Sequence, residues 1–421
     1  MVDNLKKATT LREALNMLDP ERPLQTKAEL DEYFVERPMS PLEDLRLLLI
    51  NAESDQKILF TGHRGSGKST ELSKLTLDLR PDFFILKYSV KSVLNLFDIT
   101  YVDVVLSLAL ELVKRIVDEN VAVREDVLAH VLSFGKDITR DVEMGATTGT
   151  EAGGEIGAFA VKLSAKLSTE EATRTTVRQN ASHRISDLLE SITFLCKEVE
   201  RVGERPVLAI VEDLDKTDLE TAKQVFYEHA NALLAPPVTI IYTFPMALRH
   251  DNNFMQIQSN FPDVQVLPNL KTCMRDGKPD ELGPKRLHEI LTRRVEESLF
   301  AEKAIERLGV LSSGIPRELI VLTRRACLET MKAGEDRISL KSVTRAEESR
   351  RRDYEVLLTR EQLELLGAVH RDKRLPNDEA HRALLHNLSA LEYRNGDVWY
   401  DVHPVVMPLL DKAEEQAQNS G

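Results

Sequence analysis

Short apolar runs alternate with amphipathic stretches along the first part of the chain. The runs have the length of strands, and helix-spaced apolar positions separate them. They are Lys57–Thr61, Phe83–Val90, Val207–Val211, Val238–Thr243 and Asp263–Leu267. Buried strands that alternate with helices are typical of βαβ units. The pattern therefore predicts an α/β fold with a mostly parallel sheet.

The two ends of the chain have a helical pattern. Leu11–Leu18 and Pro41–Asn51 carry helix-spaced apolar residues, and helical periodicity returns after Pro284. Near the C-terminus, two predicted helices are followed by Glu392–Val402, which contains the two-residue turn signal Asn395-Gly396. Helices followed by a β-hairpin predict a winged helix.

Residues 140–178 do not fit the rest of the pattern, because they are rich in Thr, Gly and Ala. Within them, apolar residues from Phe159 to Leu167 alternate with Ala, Lys and Ser, a period of two that indicates an amphipathic strand. We predict a β-hairpin inserted before the strand at Val207. It could cover an edge of the sheet or form a contact surface for a subunit or partner.

Composition narrows the class of protein. The 421 residues are 42% hydrophobic and 30% charged, with a formal charge of −13. This balance argues against a surface that binds nucleic acid or anionic membrane all over, but it allows one basic patch. Three widely spaced cysteines, no apolar leader at the N-terminus and no apolar run of about 18 residues predict a cytoplasmic protein without a membrane span.

A phosphate-binding loop is the most specific signal. Residues 62–70 fit the pattern G-x-x-x-x-G-K-[ST] and lie between a predicted strand and a predicted helix. In this motif, backbone N–H groups and the helix N-terminus hold phosphates. Lys68 would reach the β- and γ-phosphates, and the Ser69 hydroxyl would ligate Mg²⁺. The predicted nucleotide-binding residues are Gly62, His63, Arg64, Gly65, Ser66, Gly67, Lys68, Ser69 and Thr70.

Acidic residues follow the strand at Val207, where the carboxyl end of a parallel strand would face the ligand. We assign Glu212 to the Mg²⁺ ion and Asp213 to the attacking water, although these roles could be exchanged. Asp215 is expected to cap the next helix. Thr243 ends another strand and could contact the γ-phosphate or water, or be a buried, hydrogen-bonded residue.

These motifs define four predicted regions. Residues 1–56 form an N-terminal helical segment, and residues 57–283 form a P-loop NTPase core that contains the 140–178 insert. Residues 284–352 form a helical lid, and residues 353–421 form a winged-helix-like domain.

Together the motifs resemble the AAA+ and STAND branches of the P-loop NTPases. Glu212-Asp213-Leu214-Asp215-Lys216 is similar to the acidic motif of STAND and KAP NTPases, with Glu in place of the first Asp. Ser312–Arg317 is similar to the sensor-2 motif of the initiator branch. The resemblance implies that Arg317 reaches the γ-phosphate from the lid, and that ATP and Mg²⁺ are the cofactors.

The resemblance also implies a homo-oligomer with an arginine finger. Arg249, Arg293 and Arg294 are the candidates, although an ordinary solvated arginine is the default interpretation of each. The segment Tyr33-Phe34-Val35 could clasp the adenine or pack on the first helix.

Three interpretations of the function fit these residues, and one of them is a scaffold that binds the nucleotide without hydrolysing it. The first is an ATP-dependent molecular switch of the STAND type that controls a separate effector, in analogy with bacterial defence systems. The alternative is a DNA-binding, initiator-like or transposition-helper ATPase. Its DNA contacts would come from Arg350–Arg352 and from the winged-helix residues His381, Arg382, His386 and Asn387. The winged helix carries about as many acids as bases, which favours the switch.

Overall fold

The computed structural model describes residues 6–92, 98–143 and 152–419. Its centre is a five-stranded, fully parallel sheet in the order β2-β3-β4-β1-β5. The strands are β1 (Lys57–Gly62), β2 (Phe84–Ser89), β3 (Val207–Glu212), β4 (Thr239–Pro245) and β5 (Asp263–Val266). Each residue of β3 and β4 is buried, because helices cover both faces of the sheet. The parallel α/β class predicted from the apolar runs is confirmed.

Helices surround this sheet and extend beyond it. From the N-terminus to the end of the sheet domain they are α1 (Leu11–Met17), α2 (Lys27–Tyr33), α3 (Leu42–Ile50), α4 (Lys68–Leu79), α5 (Tyr101–Asp118), α6 (Glu125–Ile138), α7 (Ala152–Thr169), α8 (Glu171–His183), α9 (Ile185–Gly203), α10 (Leu219–Lys223), α11 (Ala230–Leu234) and α12 (Phe254–Asn260). The lid contains α13 (Leu282–Thr292), α14 (Ala304–Leu311), α15 (Pro316–Lys332) and α16 (Leu340–Leu357).

The predicted hairpin at 140–178 is wrong over the described residues. Residues 152–169 form helix α7 and residues 171–183 form helix α8, while residues 144–151 of the insert lie outside the described ranges. The alternating pattern was misleading because Ala and Lys are good helix formers. Leu163 is 1% exposed and Val161 is 57% exposed, so two residues that a strand would place on one face have opposite environments.

The C-terminal region is a winged helix. It consists of α17 (Arg360–Asp372), α18 (Glu379–His386), the antiparallel pair β6 (Ala390–Asn395) and β7 (Asp397–Val402), and α19 (Met407–Asn419). The hairpin turns at Gly396, as the sequence predicts. Leu391, Tyr393 and Trp399 of this hairpin form a buried cluster with Ile315 of the lid, which joins the two regions. Within the described ranges, the helices are too short or too polar to cross a lipid bilayer.

Candidate functional site

The phosphate loop connects β1 to α4, whose first residue is Lys68. Gly65 and Gly67 have φ values of +82° and +99°, a region in which residues with a Cβ are strained. A Cβ on Gly65 would also lie 2.6 Å from Cβ of Arg317, because the lid helix α15 begins directly against the loop. The Arg317 backbone N–H donates to the Gly65 carbonyl oxygen at 3.2 Å. Lid and loop therefore meet at the predicted phosphate site.

Lys68 is buried at the base of this loop. Its Nζ lies 2.9 Å from the Asp215 carboxylate and donates to the carbonyl oxygens of Gly62 and His63 at 2.8 and 3.1 Å. Burial alone would raise the pKa of Asp215, but the charge and hydrogen bond of Lys68 outweigh it, and the pKa lies below its ordinary value. Asp215 is thus an ionised partner of the motif lysine.

The expectation that Asp215 caps the following helix is wrong. Helix α10 is capped by Asp218, whose side chain accepts a hydrogen bond from the Thr221 backbone N–H at 2.9 Å. Asp218 has the extended backbone that an N-cap requires, whereas Asp215 lies inside a short 3₁₀ turn, Leu214–Lys216.

The other two acids of this motif have cationic neighbours at the end of β3. Glu212 pairs with Lys87 of β2 at 2.6 Å, and its second carboxylate oxygen, Oε1, is buried without a hydrogen-bond partner among the described residues. Asp213 has a φ of +73° and accepts from the Ser89 hydroxyl at 2.5 Å and from Lys216 at 2.5 Å. Both carboxylates are therefore held at the carboxyl end of β3, by residues of the neighbouring strand β2 and by Lys216.

A cavity of about 430 Å³ brings most of the predicted site residues together. From the loop and α4 it is lined by Arg64, Gly65, Gly67, Lys68, Ser69 and Thr70, and from the strands and lid by Glu212, Asp213, Asp215, Thr243 and Arg317. Gly62, the last residue of β1, is not among the residues that line this cavity. The hydroxyl of Ser66 is buried and has no partner among the described residues.

Thr243 and Arg317 have partners of their own in this cavity. The Thr243 hydroxyl is buried and donates to the Val211 carbonyl oxygen at 3.4 Å. The Arg317 guanidinium pairs with Glu21 of the N-terminal segment, and burial lowers its pKa. Arg317 therefore lies in the cavity, where it is paired with the exposed carboxylate of Glu21.

A second cavity of about 590 Å³ adjoins the loop at Gly67 and Thr70. Tyr33, Phe34 and Val35 line it, together with Arg294 of the lid. The predicted adenine-clasping segment thus lies beside the phosphate loop.

The three arginine-finger candidates are bonded within their own chain. Arg249 pairs with Glu392 at 3.1 Å, and Arg293 pairs with Glu289 at 2.6 Å. Arg294 donates to the Ile290 carbonyl oxygen at 2.8 Å and stacks over the Tyr33 ring. None of these contacts tests the finger assignment, which remains a prediction.

His63 faces the winged helix and not the cavity. Its Nε2 accepts a 2.8 Å hydrogen bond from the backbone N–H of Glu392 in β6, which requires a neutral imidazole. Burial lowers the pKa of His63 to about 4, consistent with that neutral form. The phosphate loop is therefore bonded directly to the hairpin.

Glu392 is the centre of this contact. Its carboxylate is 1% exposed and accepts from Arg249 and His250, which follow β4, and from Arg394 of its own strand at 2.8 Å. The Tyr400 hydroxyl donates to it at 3.2 Å. Burial would raise the pKa of Glu392, but His250 and the two arginines outweigh it and hold the pKa far below its usual range.

Helix α18 packs on the core in the same docked arrangement. Arg382 donates to the His250 carbonyl oxygen at 3.3 Å, and His381 pairs with Asp378 at 2.8 Å. Burial, followed by the charge of Arg64, lowers the pKa of His386. The helix that would read DNA is thus turned toward the phosphate loop.

The strand order and the glycine-rich loop give the chain the fold of an AAA+-like P-loop NTPase, with a helical lid and a C-terminal winged helix. No family model matches the chain, and no curated protein matches it. Among solved structures, the chain is similar to a Walker-type ATPase from Pyrococcus abyssi, with 17% identity, a TM-score of 0.46, and 94% of this chain and 99% of that chain covered.

Two further similarities are to proteins from Aeropyrum pernix and Pyrobaculum aerophilum. The Aeropyrum pernix ORC1 protein, solved in complex with DNA, is 14% identical at a TM-score of 0.41, with 96% of this chain and 97% of that chain covered. Cdc6p from Pyrobaculum aerophilum is 11% identical at a TM-score of 0.39, with 96% and 98% covered. The class stated above rests on the strand order and the site.

Three side chains of this site escaped the sequence analysis in whole or in part: Asp215 as the partner of Lys68, Glu392 in the wing, and Arg37 behind the loop. A third acid in the motif at 212–216 was a signal for the first of them. The other two depend on contacts between regions far apart in the chain, which periodicity and local motifs do not encode.

Proposed function

We propose that the chain binds ATP in the 430 Å³ cavity, hydrolyses it, and couples the nucleotide state to the position of the winged helix. One observation carries this proposal. A glycine-rich loop, its lysine, three carboxylates and a lid arginine converge on a single cavity. Such donors and acids are what phosphoryl transfer requires, because its catalysis is mostly positioning and charge stabilisation.

One residue of α4 and one at the end of β3 have side chains that suit a magnesium ion. Ser69 and Glu212 line the same cavity, and the Glu212 Oε1 is buried without a partner among the described residues. Hydroxyl and carboxylate oxygens are the ligands that Mg²⁺ prefers. We assign Ser69 and Glu212 to Mg²⁺, with Asp213 as a further ligand if the two acids exchange roles. The ion would neutralise phosphate charge.

The remaining residues have roles around the γ-phosphate. Asp213 would orient or deprotonate the attacking water, and Thr243 would position that water or the phosphate. Lys68 would exchange the Asp215 carboxylate for phosphate oxygens, and Arg317 would exchange Glu21 for them. Both cations have an anionic partner in the same cavity, so each exchange replaces one anion by another.

The docked hairpin supports the second half of the proposal. The loop contacts Glu392 through His63, so a change in loop conformation on nucleotide binding would alter that hydrogen bond. A nucleotide can shift the hairpin only if it binds the docked and undocked forms differently. We therefore interpret the docked arrangement as one of two states of a nucleotide-dependent switch.

Duplex DNA is the first partner to test. The Aeropyrum pernix protein was solved in complex with DNA, and a net charge of −13 does not argue against one local binding surface. Helix α18 would have to leave the core before it could enter a groove. Arg350 and Arg351 are paired with Glu318 and Glu347, which reduces their availability for phosphate contacts. A separate effector protein and a homo-oligomer remain predictions.

The test is ATP hydrolysis by the purified chain, with and without duplex DNA, beside Lys68→Ala. We expect the variant to lose at least about 100-fold in turnover, since it lacks the cation that holds the phosphates. Lys74→Ala is the matched control, because Lys74 lies on the same helix and its side chain is 35% exposed. Equal turnover in wild type and Lys68→Ala would refute the assignment of the site. Turnover raised several-fold by DNA would make DNA the partner.

A further inference from the structure

Arg37 lies behind the phosphate loop, outside the loop motif, the acidic motif after β3 and the lid segment that contains Arg317. Its side chain is 6% exposed and pairs with Glu71 of α4, which is 3% exposed, at 3.4 Å. Its guanidinium also donates to the Pro268 carbonyl oxygen at 3.3 Å and to the Ser66 carbonyl oxygen. One buried cation thus joins the N-terminal segment, the loop, the helix after it, and the segment after β5.

The contact with Ser66 fixes the orientation of one peptide group. No cis peptide bond occurs among the described residues, so the Ser66 carbonyl and the Gly67 N–H point in opposite directions. Because the oxygen is turned back toward Arg37, the Gly67 N–H is turned away from it. In loops of this kind, outward N–H groups are the donors that cradle phosphate.

The immediate surroundings keep Arg37 in this position. A Cβ on Gly67 would lie 3.0 Å from the Arg37 Nη2, so the glycine leaves room for the guanidinium. Glu71 is also held by the Ser40 hydroxyl, which donates to its second oxygen at 3.0 Å. A charged donor on the Ser66 oxygen makes a stronger hydrogen bond than a neutral one, and burial protects it from water.

We infer that Arg37 is a positioning residue for phosphate binding, which aims the Gly67 N–H into the cavity through the Ser66 carbonyl. This inference rests on the proposed function, because it concerns a residue on which phosphate binding in the proposed site would depend. Arg37 also lines the 590 Å³ cavity beside the loop, so a direct contact with the nucleoside is the competing role. The two roles differ in which part of ATP they affect.

The experiment separates phosphate from nucleoside. Binding of tripolyphosphate, adenosine and MgATP is measured by calorimetry for wild type, Arg37→Gln and Arg37→Lys, and kcat and KM are measured for ATP. We expect Arg37→Gln to weaken tripolyphosphate binding about tenfold or more, as expected for loss of a charge-assisted contact, with adenosine affinity unchanged. Arg37→Lys should recover part of the loss, because it keeps the cation but lacks the forked donors.

Chemical rescue adds a readout that a purely structural role would not give. Guanidinium ion at low, non-denaturing concentration should restore tripolyphosphate binding to Arg37→Ala and leave wild type unchanged. Arg46→Gln is the matched control, because Arg46 lies in the same N-terminal region with a 35% exposed side chain paired to Glu43.

Three other results of these binding measurements would contradict the inference about Arg37 or the proposed function. Adenosine affinity that falls as much as tripolyphosphate affinity would make Arg37 a nucleoside contact and overturn the inference. Equal tripolyphosphate binding by wild type and a folded Arg37→Gln would also overturn it. A wild type that binds neither ATP nor tripolyphosphate would instead refute the proposed function, and the inference with it.

Discussion

Two buried ion networks lie on either side of the phosphate loop, and they are built differently. In the cavity, Lys68 is a cation with one carboxylate partner, Asp215, and two backbone carbonyls. At the wing, Glu392 is an anion surrounded by Arg249, His250 and Arg394. The first network borders an open cavity, whereas the second is enclosed between two regions of the chain.

This difference has a physical consequence. A buried cation next to an open cavity can exchange its anion for an anionic ligand. The free-energy cost of burying the cation is then offset by a negative partner both with and without the ligand. An enclosed carboxylate with several donors has no such replacement. Its partners lose their anion only if the hairpin moves away. We therefore interpret the cavity network as a site for exchange and the wing network as a contact that is either made or broken.

Glu392→Gln is expected to have the largest effect on this comparison. Removal of one partner from a buried ion pair typically costs about 3–5 kcal/mol, because the remaining charges stay buried. The hairpin should undock, which exposes Trp399, the only tryptophan of the chain and 1% exposed in the docked form. A red shift of its fluorescence emission measures this change.

The control for that experiment is Asp397→Asn, which removes one negative charge from an exposed position of the same hairpin. Its emission should match that of wild type. If Glu392→Gln also keeps the wild-type emission and stability, the wing network contributes little to docking and the comparison fails.

Asp215→Asn tests the exchange at the cavity and should have a smaller effect. Without nucleotide, the variant should lose about 2–3 kcal/mol of unfolding free energy, since the asparagine amide oxygen and the two backbone carbonyls accept from Lys68 but do not neutralise its charge. Tripolyphosphate in EDTA should narrow the difference from wild type, because its oxygens supply the missing anion. Chemical unfolding with and without tripolyphosphate measures both values.

A metal-free ligand is chosen because Asp215 could also contribute to the Mg²⁺ site. Under these conditions the variant should bind tripolyphosphate at least as tightly as wild type, because one negative charge has left the cavity. Weaker binding by the variant would show that Asp215 supports the phosphate site and is not simply replaced in it. The distinction between the two networks would then disappear.

The sequence predicts the cavity network much better than the wing network. The loop from Gly62 to Thr70 is a local motif, and the strand before it and the helix after it follow from apolar patterns. The contact of His63 with Glu392 joins residues 329 positions apart. No local rule predicts it, and no local rule identifies the residues through which the winged helix meets the loop.

The prediction of a strand in the 140–178 insert failed for a different reason. Alternating apolar residues from Phe159 to Leu167 predicted a strand, but Gly135 of α6 lies against the Phe159 ring and Gly157 against Val117 of α5. These close helix contacts favour α7 as a packed helix. Tertiary packing decided between two periods that a short segment of Ala, Lys and Leu supports almost equally.

The hydrogen bond between His63 and Glu392 connects the two networks and should make their contact sensitive to pH. The neutral imidazole is favoured in the folded state, where burial lowers the pKa of His63 to about 4 from an ordinary value of 6.5. The unfolded chain therefore binds the proton first as the pH falls. Stability is fully present above about pH 6.5 and is lost progressively down to about pH 4.

The measurement is urea unfolding followed by Trp399 fluorescence at pH 7.5 and 5.5, for wild type and His63→Gln. The glutamine carbonyl can accept from the Glu392 N–H but does not titrate. Between these pH values wild type should lose about 1 kcal/mol more than the variant, the linkage expected for one histidine. His403, also buried with a pKa of about 4, contributes equally to both proteins and cancels. Equal losses would mean that the imidazole stays accessible to protons, and that loop and wing are separate units.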